Sequence, residues 1–115
     1  MKIMAGIDLH SNNALCALMD EQGKRLKHRK LPCKLPSILA FLAPYRDRID
    51  TIAVESTYNW YWLVDGLQDD RWNVVLANPS GMKQYSGLKH TDDISDAYFL
   101  TELLRLNILP QGHII

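Results

Sequence analysis

A chain of 115 residues, 47% of them hydrophobic, is most simply read as one domain, residues 1–115, with a core of its own. Thirteen basic and thirteen acidic side chains cancel, so net charge gives no reason to expect a polyanionic partner. Cys16 and Cys33 lack the spacing of a zinc site or a redox pair, and no apolar run approaches the roughly 20 residues of a membrane span. A reduced, cytoplasmic chain without a membrane partner is expected.

Residues 3–9 form a continuous apolar run ending in an acid, which predicts a buried central strand. Residues 14–19 predict a second strand, and Asp20-Glu21-Gln22-Gly23 a turn in which Gly23 takes the positive φ. Residues 24–31 predict a third, more exposed strand. Pro32 and Pro36 interrupt the chain before a short helix over 37–45, with Ser37 as its cap.

Residues 50–55 predict a fourth strand, and residues 58–69 a helix whose core stripe is Trp60, Leu63, Val64 and Leu67. A fifth strand over 72–77 is stopped by Asn78-Pro79, and 80–85 suggest a helical turn. The last helix is expected over 93–106, before Pro110 and Gly112. Three strands as a meander, then alternating helices and strands, predict an α/β fold: a mixed five-stranded sheet flanked by helices, in the RNase H-like order.

Four acids stand out. Asp8 and Glu55 each end an apolar strand, where a carboxylate is costly unless paired, hydrated or bound to a cation. Asp8 alone could simply cap the turn through His10, Ser11 and Asn12. Two such acids on neighbouring strands would raise each other's pKa unless a positive charge sits between them. Asp93 and Asp96 stand three apart at the start of the last helix, on the face that continues through Leu100 and Leu103. Alone they could be acids favoured by the helix dipole, as Asp92 is. Together the four offer the oxygen ligands that hard divalent cations take, and such ions can activate water against a phosphodiester.

The same residues carry a family resemblance. Gly6-Ile7-Asp8-Leu9-His10, Val54-Glu55-Ser56-Thr57-Tyr58, Asn78-Pro79 and Thr91-Asp92-Asp93-Ile94-Ser95-Asp96-Ala97 resemble the insertion-sequence transposases with a DEDD tetrad, the bridge-RNA-guided recombinases, whose catalytic domain is RuvC-like. The likeness runs over essentially the whole chain, and Asp-x-x-Asp-Ala is its most specific part. It implies a magnesium site, with manganese as substitute, made by Asp8, Glu55, Asp93 and Asp96. Asp92 beside Asp93 leaves the register of the third acid open.

The resemblance further implies DNA of the mobile element and its target as partners, a guide RNA in many members, and a bacterial, homo-oligomeric whole protein. It also implies a second, C-terminal domain with a nucleophilic serine, so that 1–115 would be the N-terminal part of a longer chain.

Weaker signals remain. Lys24, Arg25, Lys27, Arg29 and Lys30 could meet phosphates, or could guard an exposed edge strand. Lys89 offers another phosphate contact or a solvated loop. Trp62 falls off the helix stripe and could stack on a base or on the missing domain. A sugar-kinase or actin-type ATP-binding domain shares the fold and its Gly-Ile-Asp opening, but the segment His10-Ser11-Asn12-Asn13 holds no glycine for a phosphate hairpin. A non-catalytic nucleic-acid-binding module is the third reading.

Overall fold

The computed structural model describes residues 2–55, 59–88 and 95–112. Its centre is strand β1, Ile3–Leu9, buried along its whole length as the apolar run requires. An antiparallel meander follows through β2, Asn13–Asp20, and β3, Arg25–Pro32. The turn between them is closed by the Asp20 side chain, which accepts the backbone N–H groups of Gln22 and Lys24 at 2.9 Å each. Gly23 adopts φ 90°, the conformation expected of it.

Helix α1, Leu35–Leu42, starts two residues before the expected position. Pro36 lies in its first turn, where a missing N–H costs nothing, so this proline opens the helix instead of blocking it. Lys34, not Ser37, takes the N-cap position, and Pro44 falls in the 3-10 turn Ala43–Tyr45 that tightens the helix end. Strand β4, Ile49–Glu55, then pairs in parallel with β1, and helix α2, Tyr61–Asp69, returns across the sheet.

Strand β5, Val74–Leu76, pairs in parallel with β4 and is shorter than expected. Asn78 stops it and caps α3, Pro79–Met82, by accepting the Ser80 N–H at 3.1 Å. A 3-10 segment, Lys83–Leu88, follows. Helix α4, Ser95–Arg105, completes the fold. The sheet order is β3-β2-β1-β4-β5, a mixed five-stranded sheet with helices on both faces.

The alternation of β1 divides the core. Ile3, Ala5, Ile7 and Leu9 join Leu63, Val64 and Leu67 of α2 and Ile38 and Leu42 of α1 on one face. The other face carries α4, whose Leu100 and Leu103 pack with Ala53 of β4, while Ala97 and Tyr98 pack with Ala17 and Met19 of β2. After α4 the chain turns back, and Gln111 bridges Ala77 beside β5. Among the described residues no helix is long and apolar enough to cross a membrane.

Candidate metal and nucleic-acid site

Three rows of side chains cross the α4 face of the sheet, because residues paired in neighbouring strands share a face. The middle row is His28, Ala17, Gly6 and Ala53. Its central members are small, which gives the helix room to sit. At Gly6 the approach is closest: a Cβ there would overlap Thr101 Oγ1 and lie 2.8 Å from the Ala97 carbonyl. The Thr101 hydroxyl is turned inward and donates to that same carbonyl at 2.7 Å.

This contact also sets the direction of α4. Leu104 and Arg105 lie beside Met4, at the start of β1, so the head of the helix reaches toward the end of β1 that carries Asp8. Asp96 stands in that first turn, half-buried, one turn before Leu100.

The next row is Lys30, Leu15, Asp8 and Glu55. Asp8 and Glu55 are direct partners on adjacent parallel strands, so their carboxylates leave the sheet on one side. Asp8 is 6% exposed, and Glu55 is half-buried. His10 bends back over the turn and brings Nε2 to 3.0 Å from Asp8 Oδ2. One imidazole edge is thus committed to the carboxylate, which limits the positions Asp8 can take.

The four expected metal ligands are therefore placed unequally. Asp8 and Glu55 are adjacent, Asp96 comes to the same end of the sheet, and Asp93 lies outside the described residues. Among the described residues no group of three His, Cys, Asp or Glu side chains is gathered closely enough to hold a metal ion. The donor chemistry nonetheless fits a hard divalent cation: a buried carboxylate with a second carboxylate as its register partner supplies oxygen ligands and calls for positive charge.

The basic run divides. A register shift between Leu18 and Met19 puts Arg25 opposite Met19, while Lys27 pairs with Leu18 and Arg29 with Cys16. Lys27 and Arg29 therefore belong to the α1 face, and Lys27 Nζ lies 5.6 Å from the Phe41 ring centroid. Arg25 instead joins the α4 face, its guanidinium 4.3 Å from the Tyr98 ring centroid. Lys24 sits in the turn just before Arg25, at the end of the sheet remote from Asp8. Lys30 alone of the five shares the row of Asp8 and Glu55.

Lys89 lies outside the described residues, as do 56–58 beside Glu55. Trp62 is half-buried against the core, whereas Tyr61 is exposed, 62% accessible and stacked on Trp60 with centroids 4.1 Å apart. Trp60 precedes the helix it was expected to help bury. His28, not singled out in the sequence, enters the α4 face through the register of β3, and its Nδ1 lies 3.4 Å from the Tyr98 hydroxyl.

Comparison with known proteins bears on the family and the fold. A family model described as transposase, the DEDD type of IS110 elements, matches residues 5–111. Among solved structures, Thermus thermophilus RuvC in complex with a Holliday junction substrate superposes with a TM-score of 0.66 at 12% identity. That match covers 97% of this chain and 100% of the RuvC chain. A second Thermus thermophilus RuvC structure gives 0.65 at 14% identity, over 96% and 99% of the two chains. Identities this low establish the fold, which is RNase H-like and RuvC-like. No curated protein matches.

Proposed function

We propose, from the premise that the chain belongs to the DEDD transposases of the IS110 type, that it is their metal-binding catalytic domain and cuts or joins DNA phosphodiesters during movement of an insertion sequence. The observation that carries this reading is the pairing of Asp8 with Glu55 at the carboxyl ends of adjacent parallel strands, with Asp8 buried. Magnesium or manganese held there, with Asp96 of α4 and Asp93 as the remaining ligands, would supply the charge that activates water and stabilises a departing oxygen.

The chain's own residues prepare that site. Asp8 and Glu55 offer ligands from the rigid centre of the sheet, where neither strand can shift without breaking the ladder. His10 holds Asp8 in one orientation. Gly6 lets α4 lie close enough for its acidic first turn to approach. The RuvC of the same fold is seen with a Holliday junction substrate, which suits a DNA ligand here. A serine-bearing second domain, a guide RNA and a homo-oligomer belong to the proposed whole protein. A sugar-kinase or actin-type reading gains nothing from the tight turn at His10–Asn13, closed by a 2.8 Å backbone hydrogen bond.

Melting in the presence of metal tests the proposal. A ligand that binds only the folded chain adds about 1.4 kcal/mol at tenfold excess over its Kd, roughly 5 °C for a domain of this size. Magnesium or manganese is expected to give such a rise, and Asp8→Asn or Glu55→Gln to remove it. The same variants should melt no lower than the parent without metal, because one of two neighbouring negative charges is gone. An equal rise in the parent and both variants would show that the ions act elsewhere.

A further inference from the structure

The row Lys30, Leu15, Asp8 and Glu55 has a cation at its outer end and two carboxylates at its inner end. Neighbouring strands are 4.7–4.9 Å apart, so Lys30 stands two spacings, about 10 Å, from Asp8 along one face. Between them lies an open groove of about 560 Å³, bounded by the 10–13 turn, Leu15, His28 and Lys30. Among the described residues none of α4 lines it, the helix making its closest approach at Gly6 in the next row. His28 lines the groove, with its Nδ1 3.4 Å from the Tyr98 hydroxyl.

We propose that this groove seats the backbone of the DNA strand presented to Asp8 and Glu55, with Lys30 and His28 on phosphates beside the one that reacts. The inference rests on the proposed catalytic role of those carboxylates and deepens it. A phosphodiester chain is the occupant whose charge complements both ends: anionic at Lys30, and tolerable near the carboxylates only where a cation intervenes. DNA is the occupant because the groove is walled by His10, whose Nε2 lies 3.0 Å from Asp8 Oδ2, so a strand lying in it is the one next to the carboxylates. Lys27 and Arg29 take no part, being on the α1 face.

Fluorescence anisotropy on the 115-residue chain tests this, using a short labelled DNA strand and an RNA strand of the same sequence across a salt series. Lys30→Glu is expected to weaken DNA binding about tenfold and to lower the salt slope by about one. His28→Ala should weaken it in the same direction, and Lys27→Glu by less than about twofold. Equal losses from Lys30→Glu and Lys27→Glu would reduce the effect to unlocalised charge and overturn the groove. RNA binding as tightly as DNA, with the same dependence on Lys30, would overturn the choice of strand.

Calorimetry with manganese separates this proposal from the one beneath it. Both lysine variants should keep the parent's manganese binding. Manganese binding that persists while DNA ignores Lys30→Glu sinks the groove alone. A parent that binds no manganese, yet binds DNA through Lys30, supports the groove and sinks the metal site.

Discussion

At Gly6 one methyl group would lift α4 from the sheet. The nearest obstacles are a hydroxyl that could rotate and a carbonyl that could not, the latter 2.8 Å from the added carbon. Gly6→Ala is expected to cost about 1–3 kcal/mol in chemical denaturation. Adding Thr101→Ala should recover only part of this, since the Ala97 carbonyl remains. Full recovery would mean that the backbone approach is looser than described. Cys16 makes a different point about burial. Its thiol is pushed up from 9.0 to about 12 because the thiolate would lie in an apolar core. Above about pH 9 the unfolded chain loses that proton and the folded chain keeps it, so this group's contribution to stability falls as pH rises toward 12. Native protein should leave Cys16 unalkylated until it unfolds. Cys16→Ala should lose less stability than the parent between pH 9 and 11, and identical alkaline profiles would deny the shift.

Among the elements, the legible ones were those whose pattern is local. Strand β1 matched residue for residue, because a buried strand needs only an unbroken apolar run. The start of α1 was misplaced because proline breaks a helix interior but suits its first turn, and composition alone does not say which applies. The shift between Leu18 and Met19 was invisible for a related reason. Strict alternation would put Arg25 with Lys27 and Arg29, whereas the irregularity moves it to the face of His28 and Lys30. The return of the chain beside β5 left no pattern either, since it is held by backbone groups: Asn78 N–H donates to the Pro110 carbonyl at 2.8 Å and Gly112 N–H to the Leu76 carbonyl at 2.7 Å. Gly112→Pro removes one of these donors. It is expected to cost about 1 kcal/mol, to speed hydrogen exchange at Asn78, and to promote self-association through the uncovered edge of β5. Unchanged exchange at Asn78 would mean that the bridge does not protect that edge.

For the whole molecule, the sequence disclosed the candidate carboxylates but not their spatial relations. Acids ending apolar strands marked Asp8 and Glu55, yet their direct register depends on the parallel pairing of β1 with β4, across about forty intervening residues of chain. Asp96 was legible from its spacing to Leu100 and Leu103, while the closeness of α4 depends on Gly6, which the motif showed only as part of a strand. His10 and His28 were harder still, because a turn histidine and an edge-strand histidine look solvated until the fold supplies Asp8 and Tyr98. The central claim is that the paired carboxylates at the ends of β1 and β4 are a metal site, and anomalous diffraction from a manganese-soaked crystal tests it most directly. The expected result is a manganese peak within about 2.3 Å of carboxylate oxygens of both Asp8 and Glu55, with that peak gone in Asp8→Asn. A well-ordered crystal in which manganese binds elsewhere, and those two carboxylates share no ion, would contradict it.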